Sequence, residues 1–299
     1  MTYRATLLLI FTAVVALIVK VSFVDTVRVK GDQMSPTILK GDRLLIFRMP
    51  ELPLIRHILK PPYDRPIVYR TLNALGCLRV AAFSGDTLQI DSGRVISSRD
   101  MSKINAFRQP AVDLVPESFA PRDFFDLYRV PAKGDLLMLN KLTLRDFFFA
   151  RSIIRQENPG RQVSIKPYVL LDDSISREYI ITDFTFYSGH IDSVPDSLRN
   201  NWFFWNRMEE YLYQKHDDQK VALYFTLSLD NTTIEEYVVK RSYFFMLADN
   251  RTNGLDSRYF GPICRSDCIG RVLMVLWSHG KSAKGKWQFR FKRVGRFIS

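Results

Sequence analysis

Gly31-Asp32-Gln33-Met34-Ser35-Pro36-Thr37-Ile38-Leu39-Lys40-Gly41-Asp42 is the stretch whose reading decides the fold. Pro36 fixes φ and has no N–H to give to a ladder, so Met34-x-Pro36-Thr37 reads as a strand end with a sharp turn. Gly41-Asp42 reads as a second turn. Arg43-Leu44-Leu45-Ile46-Phe47 then reads as a strand. On the other side, Asp25 to Val29 alternates in polarity and predicts the first strand. Upstream of it, Ala5 to Val19 is apolar except for Thr6 and Thr12, Arg4 precedes it and Lys20 follows. With Val21–Val24 the run reaches the roughly 20 residues that cross a bilayer, provided Lys20 snorkels to the interface. Lys20-Val21-Ser22-Phe23-Val24-Asp25 contains no small-x-small cleavage site, so residues 1–24 are expected to be an uncleaved anchor rather than a removed signal peptide.

Downstream, Pro50, Pro53, Pro61, Pro62 and Pro66 punctuate an irregular stretch, and Ile67-Val68-Tyr69 reads as a short strand. Cys77-Leu78-Arg79-Val80-Ala81-Ala82-Phe83-Ser84-Gly85-Asp86-Thr87-Leu88-Gln89-Ile90 follows, closed by a hairpin turn at Asp91-Ser92-Gly93. Pro131 to Gly134-Asp135 reads as a turn leading into a strand. Trp202 to Tyr213 predicts a helix whose aromatic face belongs to a core. Val221–Leu229, a turn at Asp230-Asn231 and Thr233–Val239 predict a β-hairpin, and Ile269–Trp277 predicts a closing strand. Between the last two lies Ala248-Asp249-Asn250-Arg251-Thr252-Asn253-Gly254-Leu255-Asp256-Ser257-Arg258-Tyr259-Phe260-Gly261, a polar loop in which Asp256 and Arg258 are spaced to pair by charge-assisted hydrogen bonds.

The 299 residues fit one large or two small domains, and 46% hydrophobic content suffices for a sizeable core. A net charge of +12 suits a surface near anionic lipid. No nucleic-acid motif accompanies that charge, so nucleic acid is not expected as a partner. Cys77, Cys264 and Cys268 are an odd set without a second Cys pair, and the four histidines are scattered, so neither a metal site nor a cofactor is expected. Free buried thiols are expected; a local Cys264–Cys268 disulfide is the alternative in an oxidising compartment. The tail from Lys281 to Ser299 carries seven basic residues and no acid, interleaved with Trp287, Phe289, Phe291 and Phe297. It reads equally as a basic strand end and as a headgroup contact.

Three of these segments carry a family resemblance. Residues 31–42 resemble the nucleophile box of the type I signal peptidases, G-D-S-M-x-P-T-L followed by G-D, with Gly31, Asp32, Met34, Pro36, Thr37, Gly41 and Asp42 in register. Residues 78–86 resemble the base box K-R-x-V-G-x-P-G-D, with Arg79 on the family's arginine. Residues 248–261 resemble G-D-N-R-x-N-S-x-D-S-R-x-W-G, with Asp249, Asn250, Arg251, Asp256 and Arg258 in place. Asp64-Arg65-Pro66-Ile67-Val68-Tyr69 resembles R-G-D-V-V-F more weakly. The resemblance implies a mostly β fold: a signal-peptidase-like antiparallel β domain over 25–299, an N-terminal transmembrane helix over 1–24, and a mixed α/β insertion over 100–238. It also implies a single-pass bacterial cytoplasmic-membrane protein with most of the chain outside the cytoplasm.

The family's serine nucleophile falls on Gln33, its lysine base on Leu78 and the serine supporting that lysine on Gly254. An amide is a very poor nucleophile, and leucine accepts no proton. Arg79 does not replace the lysine, because guanidinium stays charged. The sequence therefore points to a non-catalytic homologue. Gly31, Asp32, Gln33, Met34 and Leu78 would line its binding site, and Pro36, Thr37, Arg79 and the 249–258 box would support it. Its partners would be membrane lipid, signal-peptide-like segments of preproteins, or an active paralogue. The alternative is an active serine endopeptidase using Ser35, two residues from the nucleophile position.

Overall fold

The computed structural model describes residues 23–48, 63–71, 74–97, 124–172, 174–176, 179–252, 254–281 and 285–298, with residues 3, 5–8, 10–12 and 14 of the N-terminal segment. Its largest sheet has eight strands, all antiparallel. Their order is Val24–Arg28, Asp42–Arg48, Cys268–Lys281, Pro66–Arg70, Leu75–Phe83, Tyr243–Leu247 and Ile263–Cys264, with Trp287–Phe289 also pairing on Cys268–Lys281. The strands expected at Asp25–Val29, Arg43–Phe47, Ile67–Tyr69 and Ile269–Trp277 all form. Cys268–Lys281 bulges in its pairing with both neighbours, and so bends across the sheet. The concave face encloses Met34, Leu44, Ile46, Ile67, Leu78, Val80 and Val275. Apolar residues on alternating positions of successive strands dictate this core.

Phe125–Arg129 joins Thr87–Asp91 and Arg94–Ser97 in a three-stranded sheet, and residues 136–238 build a second body. Helices Leu144–Glu157 and Trp202–Lys215 cover the sheet Ser174–Ser176, Val163–Leu171, Val221–Leu229, Thr232–Ile234. Thr143 Oγ1 caps the first helix by accepting from the Asp146 N–H, and Asn201 Oδ1 caps the second by accepting from the Phe203 N–H. As its aromatic spacing predicts, the second helix buries Phe203, Phe204, Trp205, Met208 and Leu212. The expected hairpin at Asp230-Asn231 forms, but Thr233–Val239 is not one strand. Thr232–Ile234 completes the hairpin and Glu236–Val238 leaves it to pair with Leu136–Met138. The departure places Tyr237 on the buried Glu157 carboxylate at 2.8 Å.

Glu157 joins the two bodies. Its carboxylate accepts from the Tyr237 and Tyr243 hydroxyls and from the backbone N–H groups of Lys240 and Arg241. A buried carboxylate with this many donors is satisfied without a counter-cation. Phe149, Ile153, Phe245, Leu247 and Tyr128 pack into a shared core beside it.

Among the described residues no helix is long and apolar enough to cross a membrane. The expected anchor lies largely outside the described residues, and its last residue, Val24, already opens the first strand. Cys264 and Cys268 are free buried thiols, as is the half-buried Cys77.

Candidate functional site

The loop at 31–42 is held by backbone turns rather than by a ladder. Ser35 N–H donates to the Asp32 carbonyl at 3.0 Å and Ile38 N–H to the Met34 carbonyl at 2.8 Å. The Asp42 carboxylate sits behind it, fully buried, accepting from the Leu39 N–H, the Ser278 hydroxyl and the Arg293 guanidinium. Arg293 also donates to the Thr37 carbonyl at 2.8 Å. One cation of the basic tail thus clamps the loop, a role its sequence pattern does not reveal.

The polar box at 249–261 docks on the same loop. Asn250 N–H donates to the Gln33 carbonyl at 2.9 Å, and Gln33 Nε2 donates to the Leu255 carbonyl at 3.3 Å. Arg79 grips Asp249 bidentately at 2.7 and 2.8 Å and donates to the Asp64 carbonyl at 2.6 Å. This fork-to-fork pairing is the geometry guanidinium is built for. Asp256 and Arg258 form the expected salt bridge, at 2.9 Å with both side chains fully buried. Asp256 also accepts from the Ala248 N–H, and Arg258 donates to the Arg251 carbonyl. Burial and the neighbouring Arg258 cation lower the pKa of Arg251 to about 10. The three segments singled out in the sequence therefore converge.

Leu78 is fully buried in the cluster that holds Met34 and Ala248. It pairs with Ile67 across the strands Leu75–Phe83 and Pro66–Arg70. Beside it, Val27, Val29, Gly31, Gln33, Met34 and Cys77 surround a cleft of about 40 Å³. That is room for little more than one water at liquid density. Burial pushes the Cys77 thiol up to about 12, so it is no thiolate nucleophile. Gly76 floors the cleft because a Cβ there would meet the Tyr69 ring at 2.4 Å. Along the strand Leu75–Phe83, Tyr243–Leu247 pairs only with the part from Arg79 to Phe83, so among the described residues Leu75–Leu78 carries a strand partner on one edge only. Ser35 is buried, whereas Lys30 and Lys40 are exposed. Neither lysine is desolvated, which is what a neutral general base would require.

Gly254 explains a departure that the sequence leaves as two unrelated changes. A Cβ on Gly254 would fall 2.2 Å from the Ala248 Cβ and 2.7 Å from the Asn250 carbonyl oxygen. The methyl of Ala248 occupies the space a side chain at 254 would need. Ala248 and Gly254 are thus coupled in packing, with the Asn250 carbonyl oxygen as a second wall.

Sequence comparison agrees with this geometry. The family model "Signal peptidase, peptidase S26" matches residues 192–277, a span that includes the whole polar box. Signal peptidase I of Buchnera aphidicola subsp. Baizongia pistaciae is 26% identical over 170 residues, 54% of this chain and 53% of that protein. Signal peptidase I of subsp. Acyrthosiphon pisum is 24% identical over 151 residues, 46% of each chain. The chain is thus similar to type I signal peptidases over part of its length. It spans about half the length of the curated relatives it matches. Gln33, Leu78 and Gly254, the three positions singled out in the sequence, lie within the hydrogen-bonded frame of the 31–42 loop, Arg79 and the polar box.

Proposed function

We propose that this chain is a membrane-anchored, non-catalytic signal peptidase homologue that binds extended, signal-peptide-like segments. One observation supports the reading. Gln33 and Leu78, which the family resemblance aligns with the nucleophile and base, sit in a site that the Asn250–Gln33 and Arg79–Asp249 contacts hold together. Leucine at 78 removes the desolvation cost that a buried amine would impose, so the site is stable without being reactive. The edge at Leu75–Leu78, unpaired among the described residues, suits strand addition, in which main-chain hydrogen bonds hold the ligand and small clefts select its side chains. The small cleft beside Gln33 would admit only small side chains.

Ser35 as an alternative nucleophile fares worse. It is buried whereas both nearby lysines are exposed, and a misplacement of about 1 Å can already cost about 100-fold. Two measurements test the reading together. Purified full-length protein in lipid should leave a preprotein uncut, with Ser35→Ala indistinguishable from wild type. A photo-crosslinker at position 33 should capture an added signal peptide. Cleavage abolished by Ser35→Ala would make the protein an active peptidase. Absence of crosslinking would leave a scaffold whose groove takes no peptide.

A further inference from the structure

A second cavity borders the polar box at Leu255, Tyr259 and Phe260. It encloses about 600 Å³ between helix Leu144–Glu157, the start of helix Trp202–Lys215 and the segment Leu255–Phe260. Its walls include Phe148, Phe149, Trp202, Phe203 and Phe260. Arg151 is aimed into it from the helix. Only 9% of Arg151 is exposed, its Nε has no hydrogen-bond partner, and among the described residues it forms no ion pair. The acid whose field reaches it, Asp196, has its side chain 87% exposed and is paired with Arg199 at 3.8 Å. Arg155, four residues on, stands at the exposed rim of the same cavity. Burial and the Arg155 charge lower the Arg151 pKa to about 10. It is still cationic at neutral pH, and a buried cation without a partner is costly.

We propose that this cavity binds a monocarboxylate with an apolar body, of the fatty-acid class, its carboxylate on Arg151 and its chain among the aromatic walls. The volume falls within the roughly 300–1,000 Å³ of small-molecule sites. A guanidinium fork matches a carboxylate bidentately. One desolvated positive charge balances one negative charge, whereas a phosphate monoester of about −1.5 to −2 would leave an excess inside. The competing account is that Arg151 merely lays its methylene stem on the aromatic rings.

The test uses the full-length protein in neutral phosphatidylcholine nanodiscs, titrated calorimetrically with octanoate, its neutral isostere octanamide, and octyl phosphate. Wild type should bind one octanoate, at least tenfold more tightly than octanamide. Arg151→Met should lose that preference, and Arg151→Lys should keep part of it. Without ligand, Arg151→Met should unfold at a higher temperature, because an uncompensated buried charge has been removed. Equal binding of octanoate and octanamide by wild type overturns the proposal without any variant. So does octanoate affinity unchanged in folded Arg151→Met, or no octanoate binding at all. Tighter binding of octyl phosphate overturns the assignment of a carboxylate.

Discussion

Single side chains settle most of what the site can do. Gly254 and Ala248 make the sharpest case, because a Cβ clash would couple the two positions in packing. Gly254→Ser alone should destabilise by about 1–3 kcal/mol, as overpacking does. Adding Ala248→Gly should recover part of the loss, since the contact with the Asn250 carbonyl oxygen at 2.7 Å remains, and a double-mutant cycle by urea unfolding measures the coupling. Additive effects would show that the two positions do not share space. The same reasoning bears on the proposed function, since a test variant with Gln33→Ser, Leu78→Lys and Gly254→Ser would import this clash. Arg258 is the opposite kind of residue. Arg258→Met strips the partner from a fully buried Asp256 and should cost about 3–5 kcal/mol, read from the midpoint of the same unfolding curves.

Elements stand or fall on a few polar hubs between them. Helix Leu144–Glu157 reaches the large sheet through one carboxylate that accepts from two tyrosines and two backbone amides. Burial pushes the Tyr243 phenol far above its ordinary value, with the Glu157 charge adding to the effect, and burial does the same to Tyr128. A raised folded pKa means the stabilisation is complete below the unfolded phenol value near 10 and is lost as pH climbs towards the folded value. Stability should therefore decline from about pH 10 upward, and phenolate absorbance from the buried tyrosines should appear only with unfolding. Titration of every tyrosine before unfolding would contradict it. The strands around Asp25–Val29, Arg43–Phe47 and Ile269–Trp277 were legible because alternation and turn residues mark them locally. The aromatic helix at Trp202 was legible from its period. Glu157 was not, since its partners lie 80 to 86 residues away and no local pattern announces a satisfied buried acid. Arg151 was missed for the same reason: an arginine on a helix looks solvated until the second helix closes over it.

At the scale of the whole molecule the basic charge of the tail is divided between two surroundings. The tail does two jobs that its sequence merges. Arg293 and Arg290 turn inward, to Asp42 and to the Lys40 carbonyl, and brace the 31–42 loop. Lys281, Lys286, Lys292 and Arg296 remain exposed beside Trp277, Trp287, Phe291 and Phe297, the last two each 77% exposed. Exposed aromatics ringed by cations suit the boundary between water and anionic headgroups, where each cation contributes about 1 kcal/mol. In anionic bilayers containing brominated lipid, Trp277 and Trp287 should be quenched. Raising salt should relieve the quenching, since exposed charges are screened within about 10 Å at 0.1 M. The variant Lys286→Gln, Lys292→Gln, Arg296→Gln should lose most of it, while leaving Arg293 on Asp42 and the fold unchanged by circular dichroism. Neutral bilayers supply the control that decides between the two accounts of the tail. Equal quenching there, insensitive to salt and to the variant, would mean that the aromatics alone hold the tail at the surface and that its cations serve only to clamp the loop.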